Sequence, residues 1–213
     1  MTKSLAQLID SVQEILDATR YPDAACTAAV RQALAQVNLN APRMLTMEVD
    51  DPTALVYNFS TDYEPLTLVL QDVLLKDATG DEEHESLAFD PYVNEGSHYF
   101  RLRSARSAGE TLIVVHGVPY TVSGLDGESV STLPAWRDSV LVDGACAHAC
   151  AIRATALAET VNVNKDVVGE LRRSAAHFEA AFRAGLDVMA SEKPFTGKPC
   201  TAAWNDEYHG RDV

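Results

Sequence analysis

The chain has 213 residues, 46% hydrophobic and 23% charged, enough for one globular domain with a real core or for a domain carrying an inserted one. Lys and Arg total 17 against 31 Asp and Glu, giving a formal net charge of −14. That balance speaks against a protein that grips nucleic acid through a basic footprint.

Asp10, Glu14 and Asp17 lie where a signal peptide would be apolar, and no apolar run approaches membrane-spanning length. Synthesis in the cytosol with no membrane association is the expectation. Cys26, Cys146, Cys150 and Cys200 do not form a disulfide framework in a chain of this kind; Cys26 and Cys146 sit in alanine-rich helical patterns as small apolar residues.

Ser4-Leu5-Ala6-Gln7 has the form of a capping box, with serine at the N-cap and glutamine three residues on. Leu5, Leu8, Ile9, Val12, Ile15 and Leu16 then mark an amphipathic helix to about Thr19. Arg20-Tyr21-Pro22-Asp23 breaks it, and Asp23 is placed to cap a second helix whose face is Cys26, Ala29, Val30, Ala33, Leu34 and Val37. Asn38 to Pro42 ends that helix, because a residue before proline avoids helical backbone.

The period then changes from helical to alternating. Leu45, Met47 and Val49, then Leu55, Tyr57 and Phe59, then Leu66, Leu68 and Leu70 read as strands with one buried face. Asp77 to Glu85 reads as an acidic loop. His98 to Arg103 and Leu112 to Val115 are further strands, with Ser104 to Glu110 as a hairpin loop between them. Val118 to Val122 is expected as a last edge strand, closed by Gly124-Leu125-Asp126-Gly127. Between Met47 and Glu95 thirteen acidic residues are opposed only by Lys76, so most of the net charge lies here.

Two long helices follow, from Leu133 to Met189, with a break at Thr160 to Val163. Pro134 suits a first helical turn. Leu133, Trp136, Val140, Gly144, Ala147, Ala151, Ala154 and Ala158 make one face of the first helix; Leu141, Ala145, His148, Ile152 and Thr155 make another. A helix apolar on two faces is buried, either by its own chain or by a neighbouring copy. The second helix has Asn164 as its expected N-cap and Val168, Leu171, Ala175, Phe178, Phe182, Gly185 and Met189 as its stripe. Ser191 to Val213 holds Pro194, Gly197, Pro199 and Gly210, with Phe195, Trp204 and Tyr208, and reads as an irregular arm.

The expected fold class is α+β: a helical bundle dominated by a long C-terminal helical hairpin, with an antiparallel β insert between helices 2 and 3 and an extended C-terminal arm. The expected organisation is a helical core from 1–44 and 131–190, an acidic β insert at 45–130, and an arm at 191–213.

No catalytic constellation is visible. Cys146 and Cys150 share a helix face, but His148 projects about 200° away around the helix, and no second Cys/His pair stands at a metal-binding spacing. His84 amid Asp81, Glu82, Glu83 and Glu85 lacks the ligand order of a calcium loop. His116 at a strand end has no nucleophile motif beside it. No cofactor and no metal are expected.

Ser4 to Val12, Tyr21-Pro22-Asp23 and Ala33-Leu34 through Ala41-Pro42-Arg43 resemble the start of tailed-bacteriophage head-to-tail adaptor proteins. Leu133-Pro134-Ala135-Trp136-Arg137-Asp138, Asp143 to Ala147, and Ala175 to Phe182 resemble the closing helices of that family. The resemblance covers over half the chain and rests on residue-type patterns, not catalytic signatures. It implies a non-enzymatic virion protein at the head-tail neck, present in the host cytoplasm during assembly. Such a protein forms a ring of its own copies, commonly twelve, on the portal protein. It extends the DNA channel, passes genomic DNA without tight binding, and presents a surface to the adjacent neck or tail protein. Under this resemblance Phe195, Lys198, Trp204 and Tyr208 are the portal-binding residues. Trp136, Val140, Gly144, Ala147, His148, Ala151 and Ile152 are the ring contacts. A head- or tail-completion protein is the near alternative, and a small metal-dependent enzyme is the alternative from another class.

Overall fold

A computed structural model describes residues 2–50, 52–64, 66–76, 85–104, 106–160 and 165–191. The chain divides into two compact units, one made of 2–42 with 120–191 and the other of Arg43–Pro119.

The first unit is helical. α1 (Leu5–Leu16) begins at the expected capping box: Ser4 Oγ accepts from the Gln7 amide while the Gln7 side chain accepts from the Ser4 amide. α2 (Asp23–Asn40) starts one residue away from expectation. Pro22 occupies the N-cap and makes no side-chain cap, so Asp23 is already inside the first turn, where its charge favours the helix dipole. All six residues of the expected α2 stripe are buried. A single 3-10 turn (Ala135–Arg137) leads into α4 (Asp138–Ala158), and α5 (Lys165–Ser191) follows.

One core holds this unit together. Leu8 and Val12 of α1, Val30 and Val37 of α2, Leu141, Ala145 and Cys146 of α4, and Phe182 and Met189 of α5 belong to the same buried cluster. α4 is its centre, packed by α1, α2 and α5. The small residues seen in the sequence are the reason: each neighbouring backbone needs a shallow surface to approach.

Three expectations are corrected here. The fold is α+β, but it is not a helical bundle dominated by a C-terminal hairpin. α5 is one long helix, and α4 is shared among three helices. Of the break expected at Thr160 to Val163 only Thr160 is described; residues 161–164, with the expected N-cap Asn164, and the residues after Ser191 lie outside the described ones. The β unit also has a core of its own. Second, the edge strand expected at Val118 to Val122 is not formed: only Val118 is in a strand, the last residue of Thr111–Val118, and residues from Tyr120 to 130, expected in the β insert, belong to the helical unit. Tyr120, Val122 and Leu125 are buried in the helical core, and Asn38 of α2 bonds both backbone groups of Tyr120, accepting from its amide at 2.7 Å and donating to its carbonyl at 3.1 Å. Third, Ala135–Ala158 does reach membrane-spanning length and apolarity, with a mean hydropathy of 1.3. Half of it is buried, with Leu141, Val142, Ala145, Cys146, Ala149 and Cys150 in the helical core.

The β unit holds two antiparallel sheets. β1 (Arg43–Asp50), β7 (Thr111–Val118), β3 (Val69–Leu75) and β4 (Glu85–Ser86) form one in the order β1-β7-β3-β4. β2 (Val56–Asn58), β6 (Ser97–Leu102) and β5 (Phe89–Asn94) form the other in the order β2-β6-β5. β1 pairs with β7 in continuous register from Arg43 opposite Val118 to Asp50 opposite Thr111, while β3 pairs with β7 through an irregularity between Leu70 and Asp72. Val49, Leu112 and Val114 of the first sheet share a core with Tyr57, Phe100 and Leu102 of the second.

The hairpin expected across 104–110 is absent, because β6 and β7 belong to different sheets. The strand expected from Leu66 begins only at Val69, and Leu66 and Leu68 are exposed. Phe59, expected as the end of a strand, opens a one-turn helix, α3 (Phe59–Asp62), and fills the β core. Of the acidic loop expected from Asp77 to Glu85, residues 77–84, with His84, lie outside the described residues, and Glu85 opens strand β4.

Candidate interaction surface

α4 and the 3-10 turn before it present the residues expected at a ring contact, and the structure divides them. Gly144 and Ala147 are buried inside the helical unit. Gly144 is there because Phe182 needs the space: a β-carbon at 144 would stand 2.8 Å from the ring and 3.0 Å from Ala33. Val140 is half-buried, and its methyl groups take the same advantage of Gly185, where a β-carbon would meet them at 2.7 Å. These three are therefore occupied within the chain. Trp136, Ala151 and Ile152 face outward, with Trp136 55% and Ile152 46% exposed. His148 is half-buried, and its Nε2 has no hydrogen-bond partner among the described residues. Phe195, Lys198, Trp204 and Tyr208 lie outside the described residues.

Trp136 is exposed but not loose. Arg137, the next residue, is 8% exposed, and its guanidinium carbon lies 4.5 Å from the centre of the indole. The same guanidinium lies 5.6 Å from the Tyr120 ring centre, and its Nη1 donates to the Tyr120 hydroxyl. A cation held over an aromatic face stabilises that face by ~1 kcal/mol or more when partly desolvated. The sequence pattern singled out Trp136 but not Arg137, because a buried arginine has no periodicity to announce it.

A second brace sits farther along α4. The Tyr21 hydroxyl lies 3.6 Å from Cys150 Sγ, and the Arg153 guanidinium carbon is 5.0 Å from the Tyr21 ring centre. Arg153 Nη1 donates to the Arg20 carbonyl. Desolvation drives the Tyr21 phenol well above its ordinary pKa, so it stays protonated and available as a donor.

Among the described residues the thiols, Cys26, Cys146 and Cys150, carry no reactive signature. Burial pushes Cys146 up to about 12 and also raises Cys26 and Cys150. A nucleophilic thiol needs the opposite shift. Among the described residues no group of three or more His, Cys, Asp or Glu side chains is placed to hold a metal ion. In the β unit, His116 is 1% exposed, its ring centre 4.9 Å from that of Phe59, and burial lowers its pKa, so it packs as a neutral core side chain.

No family model, no curated protein and no solved structure matches this chain.

Proposed function

We propose that this chain is a non-enzymatic structural protein of a tailed-phage virion, a head-to-tail adaptor. In this reading its copies form a ring on the portal protein, extend the DNA channel without gripping DNA, and offer a surface to the next neck or tail protein. The protein acts at the virion neck and is made in the host cytoplasm. The observation that carries the reading is the clamped, outward-facing Trp136. An exposed tryptophan already ordered by its own chain loses little freedom on docking, which is what an assembly contact requires. Ile152, on α4, the helix that follows the Trp136 turn, adds a second exposed apolar group. The C-terminal arm, with Phe195, Lys198, Trp204 and Tyr208, completes the reading as the portal anchor.

The test is direct imaging of the protein mixed with portal particles from the same genome. A single closed ring seated on the portal supports the reading. A single bound copy, an open spiral, or no binding overturns it.

A further inference from the structure

β7 runs through the interior of the first sheet, and His116 lies near its C-terminal end, opposite Leu45 of β1 and Leu70 of β3. Its ring is 1% exposed and packs 4.9 Å from that of Phe59, the residue that opens α3. Its nitrogens are poorly provided for. Nδ1 lies 3.5 Å from the Val114 carbonyl, at the outer limit of a hydrogen bond, and Nε2 is buried with no partner among the described residues. A neutral imidazole has one donor and one acceptor, so a single contact leaves only the acceptor unmet. An imidazolium donates at both nitrogens, and its second N–H would sit charged in the core with nothing to accept it.

Each element packed around the ring brings its own groups. On β1, Arg43 shares the face of Leu45, one pair along and opposite Val118. β3 opposes the ring with the apolar Leu70. α3 and the residues after it bring Tyr63, stacked on Phe59, and Glu64, while Asp62 is exposed. The second sheet brings Tyr57 of β2 and, on the face of Phe100, His98 of β6. Burial lowers the His116 pKa below the ordinary histidine value; the Val114 carbonyl and then the Glu64 carboxylate pull it back without restoring it. The sheet is also weakest here. β3 meets β7 through the irregularity between Leu70 and Asp72, and the chain entering β3 is thinly covered, with Leu66 61%, Leu68 43% and Val69 40% exposed. The Leu68 amide, donating to the Gly117 carbonyl at 2.7 Å, ties that entry to β7.

We propose that His116 is an acid-sensitive catch: a proton on its buried ring releases the entry to β3, Leu66 to Leu70, from the end of β7. The opened chain takes up that proton at about pH 6.5, the closed sheet only below it. The closed sheet therefore has its full stability above about pH 6.5 and loses it as pH falls through the folded value. Opening bares a backbone edge of β7 in mild acid, and closing hides it at neutral pH. The proposal rests on the β unit alone and is independent of the adaptor reading.

Amide hydrogen exchange on the full chain, corrected for the intrinsic rate at each pH, tests it. Between about pH 7.5 and about pH 5, the range in which histidine titrates, protection of Leu66 to Leu70 and of Val114 to Val118 should fall. The expected loss is about tenfold, the factor that one unit of pKa shift carries. Protection in α4 and in the β5–β6 pair should hold. His116→Gln, which cannot take up a proton, should keep the protection of Leu66 to Leu70 constant over the same range. In the parent protein, the His116 ring resonance should reach its protonated position only as that protection is lost, a readout that needs no variant. Constant protection in the parent, equal loss in β5 and β6, the same loss in His116→Gln, or a ring that protonates while the sheet stays closed overturns the proposal.

Discussion

Gly144 and Phe182 occupy one another's space: the ring lies where any other residue at 144 would place its β-carbon, 2.8 Å away. Phe182 is fully buried, so it has little room to yield. Gly144→Ala gains ~1 kcal/mol of helix propensity but overpacks a filled contact, which costs ~1–3 kcal/mol. A net loss of stability is expected, with Gly144→Leu much worse. Urea titrations of the three proteins check it; an alanine variant more stable than the parent would mean that α4 and α5 separate easily.

How much of this was legible beforehand follows the range of the interaction. The Ser4–Gln7 capping box is local and was readable. The α2 stripe is periodic and was readable too. Strand partners are neither. Alternation says which face of a strand is buried, not which strand lies beside it, so 104–110 passed for a hairpin although it joins two sheets. Of Val118 to Val122 only Val118 is in a strand, at the end of β7; at Tyr120 the backbone is paired by the Asn38 side chain in place of a neighbouring strand, a long-range contact that the residue pattern does not show. In the candidate site, the composition of α4 exposed Trp136 and Gly144. Which of them faces outward depended on Phe182, nearly forty residues later.

Asp143 lies partly buried on α4, and desolvation raises its carboxyl pKa above the usual range, with His177 pulling it back. The folded state therefore holds this proton more tightly than the unfolded state. The stability it contributes is fully present below the unfolded carboxylate pKa and is lost as pH rises through the folded value. Asp143→Asn should remove that loss. Its stability relative to the parent should improve between acidic and neutral pH, read from melting temperatures across the series. A constant difference would show that Asp143 is equally solvated in both states.

The thiol cluster gives a chemical prediction. Cys146, pushed up to about 12 and buried, should resist alkylation at pH 8 in the folded protein, as should Cys26 and Cys150. Peptide mapping after iodoacetamide, with and without urea, reads this site by site. Serine at both 146 and 150 should cost ~1–3 kcal/mol per unsatisfied hydroxyl and also remove the Tyr21–Cys150 contact. Stoichiometric zinc that disappears in this double variant would instead make the pair metal ligands.

Trp136→Ala should separate folding from assembly. The ring is more than half exposed, so its removal should change stability by no more than ~1 kcal/mol. At a central contact, loss of a tryptophan costs ~2 kcal/mol or more per interface, and a closed ring repeats that loss at every joint. The variant should melt with the parent yet fail to form rings on portal particles. Normal rings would remove Trp136 from the contact.

The charge distribution sets the last expectation, that the protein passes DNA without binding it. Tight non-specific binding needs clustered Lys and Arg to release counterions from phosphates. Here 17 cationic side chains face 31 acidic ones, and several of the arginines are already engaged: Arg31 with Asp126 at 2.6 Å, Arg103 with Asp90 at 3.6 Å, Arg183 with Glu179 at 2.8 Å. These exposed pairs add little stability, but they offset cationic charge where a phosphate would need it. In a ring the excess negative charge recurs in every copy. Only charge within about 8 Å of the duplex matters at physiological salt, so the effect depends on what lines the channel. The isolated protein should give no gel shift with duplex DNA at about 0.15 M salt. A sub-micromolar complex that weakens steeply with added salt would reveal a basic surface and exclude a channel that lets DNA slide.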